Sequence, residues 1–349
     1  MNAILIPAYQ PDDKLVVLVK ELKALGLDRI VVVDDGSRAA CAPVFEAVEK
    51  EGAKLVRHPV NQGKGAAIKT ALSFASQTMP ECAGYVTCDA DGQHLAKDIL
   101  KVSEELAAHP EALVLGSRDL TAENVPRQSR FGNAFSSFYF KAVTGVACKD
   151  TQTGLRGIPK ALVPLAMELT ENRYDYEMTF LTRAAREGTP LVMVPIETVY
   201  IEKNAASHFR PVIDSIRIYK EPLKFALSSL FCTGVDLLLF TLLSLLPIPD
   251  VFRLVAVATI VARLVSGILN FLLNRHWSFR NKASFRRQFT RYFLLYLFIL
   301  SSSILLVTLL EFLPFHITFV KVMVDGSLAI VSFLVQKKWV FAHPRRIAR

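Results

Sequence analysis

Acidic side chains nearly disappear from the last part of this 349-residue chain. Residues 220–349 hold 5 Asp and Glu against 16 Lys and Arg, whereas residues 1–219 hold 27 against 25. The net charge of +9 therefore comes from the C-terminal part alone. Its basic residues lie between long apolar runs instead of on a polar surface, which reads as a membrane boundary and not as a nucleic-acid footprint. Nucleic acid is not expected as a partner. Cysteine is scarce too. Cys41, Cys82, Cys88, Cys148 and Cys232 are odd in number and lack CxxC spacing, which excludes a zinc ribbon or a disulfide framework and fits thiols in a reducing compartment. The first residues have no basic n-region and run directly into an apolar strand, so no secretory leader is expected. There is no Walker-type P-loop. Gly63-Lys64-Gly65 meets Ile68 where GxGxxG needs glycine, which sets a dinucleotide fingerprint aside.

What is present divides at about residue 220. Crossing a bilayer takes ~20 mostly apolar residues per helix. Four stretches qualify, at about 223–246, 251–273, 292–313 and 319–338. The connection between the second and third holds Arg275, Arg280, Lys282, Arg286, Arg287 and Arg291, and the chain end holds Lys337, Lys338, Arg345, Arg346 and Arg349. The Lys/Arg bias puts both clusters in the cytoplasm. Four spans then place the N-terminal half there as well, in a multi-pass protein of a prokaryotic plasma membrane. The run from Phe271 to Phe279 echoes the run from Phe333 to Phe341, so the apolar part is a repeat of a two-helix unit. Asp236, Arg263 and Asp325 fall inside spans, where an unpaired charge is costly, and Asp236 with Arg263 is the expected pair. Such a pair either lines a path for a polar headgroup or locks two helices.

Residues 1–200 alternate short apolar runs with amphipathic stretches. Strands are expected at 3–7, 30–34, 53–57, 84–89, 113–117 and 191–196, with helices between them, for example at 13–25, 64–75 and 99–109. That order predicts an α/β domain with a mostly parallel sheet. Ligands of such sheets sit beyond the carboxyl ends of the strands. Those ends read Pro7-Ala8-Tyr9, Asp34-Asp35-Gly36-Ser37, Asp89-Ala90-Asp91-Gly92-Gln93-His94 and Gly116-Ser117-Arg118. In an extended chain residues i and i+2 point the same way, so Asp89 and Asp91 can share one hard cation, with the Gln93 carbonyl as a further oxygen. Mg²⁺ or Mn²⁺, completed by substrate phosphates, is the expected cofactor. Asp35 is a candidate acceptor for a base or ribose, although Asp-Gly is also a common turn pair.

These motifs, together with Asn61-Gln62-Gly63-Lys64-Gly65 and the run from Asp150 to Arg156, resemble the family-2 glycosyltransferases of GT-A fold, in particular the polyprenyl-phosphate (dolichol-phosphate mannose synthase-like) branch. The resemblance covers about 2–210. It implies that Pro7, Tyr9, Val33, Asp35, Lys64 and Ala90 contact the nucleotide sugar, that Asp89, Asp91 and Gln93 hold the metal, and that Arg118 and Arg130 reach the acceptor phosphate. The family's basic position after the last strand is held by Val199, and Lys203, Ser207 or His208 stand near it as substitute phosphate contacts. Residues 222–342 resemble the GtrA-like four-helix membrane proteins, a family associated with lipid-linked sugar pathways.

The expected organisation is a glycosyltransferase domain at 1–207, an interfacial helix at 208–222, a four-helix transmembrane domain at 223–341 and a basic tail at 342–349. The expected reaction is inverting transfer of a hexosyl group from a UDP- or GDP-sugar to polyprenyl (undecaprenyl) phosphate, for cell-envelope glycans. A phosphate acceptor needs no general base, and Asp175 or Glu177 serves as one only if the acceptor is a hydroxyl. A carrier-lipid flippase with a nucleotide-sugar sensor is the other alternative. A homo-oligomer stays open. A processive synthase is disfavoured, because QxxRW-like runs occur only in the membrane part.

Overall fold

The structure, a computed structural model, describes residues 1–120, 125, 127–197, 219–245, 251–279, 283–310 and 317–341. Val199, Lys203, Ser207, His208, residues 208–218 of the expected interfacial helix and the basic tail lie outside the described residues. The chain divides into two compact units, Met1–Ile218 and Tyr219–Arg349.

The first unit runs β1 (Ala3–Ala8), α1 (Lys14–Ala24), β2 (Ile30–Asp34), α2 (Ala42–Lys50), β3 (Lys54–Arg57), α3 (Lys64–Thr78), β4 (Gly84–Thr87), α4 (Ala96–Ala108), β5 (Leu113–Arg118), α5 (Arg127–Thr144), β6 (Arg156–Pro159), α6 (Val163–Glu168), α7 (Asp175–Arg186) and β7 (Leu191–Ile196). One sheet forms in the order β3-β2-β1-β4-β6-β5-β7. All neighbours are parallel except β6, which is antiparallel to both β4 and β5. Successive side chains leave a strand on opposite faces, so each strand feeds two cores. Leu5, Val31, Val33 and Leu115 pack under α3, α6 and α7, while Ile4, Ile6, Val32 and Val114 pack under α1, α2 and α4.

The six expected strands are all present, and β6 is the addition. Its reversed direction decides where the preceding loop arrives. Arg156, the first residue of β6, pairs with Thr87 and Leu115, so that loop reaches the same edge where β1, β2, β4 and β5 end. Asp150 and Gly154 are thereby brought beside the residues that leave the parallel strands.

Among its described residues the second unit holds four helices, α8 (Lys220–Ser244), α9 (Val251–Leu273), α10 (Phe285–Leu309) and α11 (Ile317–Val335). Among the described residues, Pro222–Leu243 and Val257–Ser278 are long and apolar enough to cross a membrane. After α9 and α11 the chain continues for one wide turn each, Asn274–Ser278 and Gln336–Val340. Both turns close with an i→i+5 bond, from Phe279 N–H to Asn274 O at 2.8 Å and from Phe341 N–H to Gln336 O at 2.7 Å.

The sequence repeat is a spatial pseudo-two-fold. Asn274 and Gln336, 62 residues apart, meet directly, Asn274 Nδ2 donating to Gln336 Oε1 at 3.0 Å. Matching aromatic pairs keep matching geometry. Phe225–Phe333 and Phe271–Tyr292 both have centroids 5.3 Å apart, and Phe279–Phe333 and Phe271–Phe341 both lie at 5.9 Å. Phe279 stacks on its own counterpart Phe341 at 5.1 Å. Lys224 lies over Trp277 as Arg291 lies over Trp339, at 5.5 and 5.4 Å. The charges break the symmetry. Asp236 pairs with Arg263 at 3.7 Å, as the sequence suggested, whereas the corresponding positions hold Ser303 and Asp325, joined by a hydroxyl-to-carboxylate bond of 2.6 Å.

Candidate active site

At the carboxyl edge of the sheet the chain leaves β4 through Asp89-Ala90-Asp91-Gly92-Gln93-His94. The turn is built locally. The Gln93 N–H donates to Asp91 Oδ1 at 3.0 Å, and Asp89 N–H donates to Nδ1 of buried His94 at 3.0 Å. That acceptor role makes His94 the Nε2–H tautomer, and burial holds its pKa below the ordinary value. The ring is therefore a neutral support for the loop.

Lys64, the first residue of α3, extends into this loop. Its Nζ lies 2.6 Å from Asp89 Oδ1 and 3.0 Å from Glu177 Oε2. Burial alone would lower its pKa, but the carboxylates of Asp89 and Glu177 hold it far above the usual lysine value. Burial alone would raise Asp89, yet the Lys64 ammonium overrides it, helped by Arg118, and keeps that carboxyl at about 2. Asp91 moves the other way, pushed up by burial and then by the Asp89 charge beside it. Two carboxylates thus hold one ammonium, and Asp91 lies within reach of its charge.

Gly154 lets these groups come together. A Cβ there would lie 2.5 Å from Asp89 Oδ2 and 2.9 Å from Lys64 Nζ, so any side chain would collide with the pair. The Gly154 carbonyl is held by Thr87 Oγ1 at 3.0 Å. Arg156, buried, ties the same loop to α7: Nε donates to Thr153 O at 3.0 Å and Nη1 to Glu177 O at 2.6 Å.

At the end of β5, Arg118 forms a fork on Asp150, Nε to Oδ2 at 2.7 Å and Nη2 to Oδ1 at 3.1 Å. The Asp150 side chain is 0% exposed and that of Arg118 25%. Arg130 is exposed on α5.

The expected nucleotide residues divide between the sheet edge and the turn before α3. Pro7 pairs with Val33 across β1 and β2, and Tyr9 comes next, half-buried. Val33 is buried in the core under α3, so its backbone, not its side chain, borders the edge. Ala90 is half-buried beside the two aspartates. Asp35 is drawn inward. Oδ1 accepts from Gln62 N–H and from His58 Nδ1, both at 2.8 Å, and Oδ2 from Gly63 N–H at 2.8 Å. These bonds anchor the turn that starts α3 and so aim Lys64. Asp175 Oδ1 accepts from Arg173 N–H at 3.3 Å at the start of α7. Asp150, Arg156, His58 and His94 have no role that the sequence alone assigns. The run from Asp150 to Arg156 carried the signal for the first two.

Two carboxylates and an amide carbonyl form an oxygen donor set of the kind that hard divalent ions accept. Asp89, Asp91 and Glu177 also exceed Lys64 by two negative charges, which suits a divalent ion. Among the described residues no three His, Cys, Asp or Glu side chains converge on one point.

Residues 3–162 match glycosyl transferase family 2, and residues 224–341 match the GtrA/DPMS transmembrane domain. An uncharacterized protein of Methanocaldococcus jannaschii is 33% identical over 203 residues, covering 57% of this chain and 82% of its own. The UDP-N-acetylglucosamine–dolichyl-phosphate N-acetylglucosaminyltransferase of Methanococcus voltae is 31% identical over 221 residues, covering 58% of this chain and 87% of its own. Glycosyltransferase AglJ of Haloferax volcanii is 25% identical over 221 residues, covering 62% of this chain and 69% of its own. The chain belongs to glycosyl transferase family 2, with a GT-A-like domain followed by a helical GtrA/DPMS transmembrane domain.

Proposed function

We propose that this family-2 glycosyltransferase moves a hexosyl group, with inversion, from a UDP- or GDP-sugar to a polyprenyl (undecaprenyl) phosphate on the cytoplasmic face of a prokaryotic plasma membrane. The observation that carries the reading is the Asp89–Asp91 pair at the exit of β4, with Lys64 and the Arg118–Asp150 fork on the same sheet edge. The Methanococcus voltae relative, named for a nucleotide-sugar donor and a dolichyl-phosphate acceptor, supports the substrate classes.

Asp89, Asp91 and the Gln93 carbonyl would hold Mg²⁺ or Mn²⁺, which supplies Lewis-acid stabilisation of a departing diphosphate when bound. The backbone edge at Pro7 and Val33, with Tyr9 and Ala90, borders the nucleoside, and Asp35 supports that pocket from within through the turn it anchors. Lys64 faces the diphosphate. Arg118, its guanidinium plane set by Asp150, and Arg130 bind the acceptor phosphate, because guanidinium forks match phosphate oxygens. Lys203, Ser207 and His208 are further candidates for that contact. A phosphate monoester, with its second pKa near ~6, is already mostly dianionic at neutral pH. One of its oxygens attacks the anomeric carbon. The new C–O bond forms as the bond to the nucleoside diphosphate breaks, and the electron pair leaves with the diphosphate. No proton has to be removed, so neither Asp175 nor Glu177 acts as base. Glu177 is in any case tied to Lys64.

In this reading residues 1–207 are the cytoplasmic catalytic domain, 208–222 lie along the bilayer interface and 223–341 cross it four times. The tail at 342–349 returns to the cytoplasm, and the product feeds cell-envelope glycan assembly.

The test is sugar transfer by purified protein in detergent with undecaprenyl phosphate, Mg²⁺ or Mn²⁺, and radiolabelled UDP- and GDP-sugars given one at a time. Labelled lipid is expected from one donor and is absent with Asp91→Ala. Label on diacylglycerol or glycan hydroxyls, with none on the polyprenyl phosphate, overturns the acceptor and makes Asp175 or Glu177 the base.

A further inference from the structure

Two oxygens define what Asp89 can offer an incoming ion. Oδ1 is 2.6 Å from the Lys64 ammonium. Oδ2 faces the backbone at Gly154, so close that even a methyl group there would stand 2.5 Å away. A cation approaching Asp89, whose side chain is 28% exposed, therefore meets Lys64 at one oxygen and the Gly154 backbone beside the other. Like charges at such range repel by several kcal/mol, about 4 at 4 Å for a surface-like dielectric. Lys64 is thus a competitor for the ligand as well as its neighbour.

The second seat for this ammonium is already built. Glu177 accepts Lys64 through Oε2 at 3.0 Å. Its other oxygen, Oε1, is buried and has no hydrogen-bond partner among the described residues. A buried carboxylate oxygen left unbonded is costly, and one added donor would satisfy it. The Lys64 ammonium has three donors and a flexible stem, so a small swing carries it from Asp89 to both oxygens of Glu177. Arg156 Nη1 holds the Glu177 backbone carbonyl at 2.6 Å, which fixes the point on α7 from which this side chain reaches Lys64.

We propose that Glu177 is a positioning residue that withdraws Lys64 from Asp89, so that Lys64 and a divalent cation alternate on that carboxylate. The ammonium offsets part of the site's negative charge until the ion arrives, and is then handed to Glu177, next to where the diphosphate would lie. The inference rests on the metal-dependent glycosyl-transfer reading but concerns only this chain's own side chains. It implies opposite signs for two neighbouring substitutions.

The experiment is direct binding of Mn²⁺ alone, with no sugar donor, followed by loss of the free-ion EPR signal in the purified full chain. Lys64→Met is expected to bind Mn²⁺ about tenfold tighter than wild type, and Glu177→Gln about tenfold weaker, since Lys64 then falls wholly on Asp89. In the double variant the Glu177→Gln effect should vanish, because Glu177 acts through Lys64. Lys64→Gln serves as a second probe should the methionine variant be poorly folded, and far-UV circular dichroism checks both. Binding unchanged or weakened in both Lys64 variants overturns the competition. A Glu177→Gln loss that persists without Lys64 overturns the relay and leaves simple charge attraction. Failure of the glycosyl-transfer reading is read separately, as Mn²⁺ binding with these signs but no transfer to any lipid phosphate.

Discussion

Arg118 and Asp150 form a two-bond fork in which the carboxylate is sealed from solvent and the guanidinium is a quarter exposed. Asp150 also accepts the Gln152 N–H at 3.1 Å, so it orders its own loop while orienting the arginine. Arg118→Lys keeps the charge and removes the fork. We expect kcat/KM for the lipid acceptor to fall about 10–100-fold, the worth of one charge-assisted bond, with the KM for the nucleotide sugar little changed. Asp150→Asn should act through the same route and in addition lower thermal stability, by about 3 kcal/mol for a broken buried pair. Steady-state kinetics and melting of both variants check this.

Gly154→Ala tests the close approach beside Asp89. The added methyl must displace Asp89 or Lys64, and overpacking of this kind costs about 1–3 kcal/mol. Since the strain falls on the site, transfer activity should be lost while the fold survives. Activity near wild type would show that the loop relaxes outward.

His94 gives a pH dependence. Its folded pKa is depressed, so between that value and the unfolded value of about 6.5 the unfolded chain binds more protons. Stability from this group is complete above the unfolded pKa and is lost as pH falls toward the folded one. The urea midpoint should therefore drop from pH 7.5 to pH 5.5. In His94→Asn, whose amide oxygen can still accept the Asp89 N–H, the drop should be smaller.

Thiol reactivity should follow burial. Burial pushes Cys82 and Cys88 up and Cys148 to about 11, whereas Cys41 is partly exposed. Native alkylation at pH 8, read by mass spectrometry, should mark Cys41 and spare the other three until the protein is unfolded.

In the helical unit Asn274 is buried and bonds Ser228, Asn270 and Gln336. Asn274→Ala strands several polar groups and should cost about 1–3 kcal/mol. Combined with Gln336→Ala the losses should not add, with a coupling of at least about 0.5 kcal/mol measured by melting in detergent.

The sequence revealed the layered sheet because β1, β2, β4 and β5 are continuous apolar runs closed by polar turns. It hid β6, whose four residues Arg-Gly-Ile-Pro show no period and whose direction no local signal records. The Asp89–Asp91 pair was legible from i, i+2 spacing. The inward use of Asp35 was not, because its partners Gln62, Gly63 and His58 lie beyond a further strand. Lys64 was placed near the donor only by resemblance, and its ion pairs needed α7 to bring Glu177 across. The repeat was legible as an offset. That Asn274 and Gln336 touch was not, since equal spacing says two residues are alike, not that they face each other.

Two identical chains meeting on a symmetry axis must carry the same charge on both sides. Joining the two halves in one polypeptide lifts that obligation. Here one half carries an opposite-charge couple at Asp236 and Arg263, and the other holds a carboxylate steadied by the Ser303 hydroxyl. The shared skeleton thus carries different charges in its two halves. The two sides of this bundle can therefore specialise separately, with the aromatic seam between them left as it was.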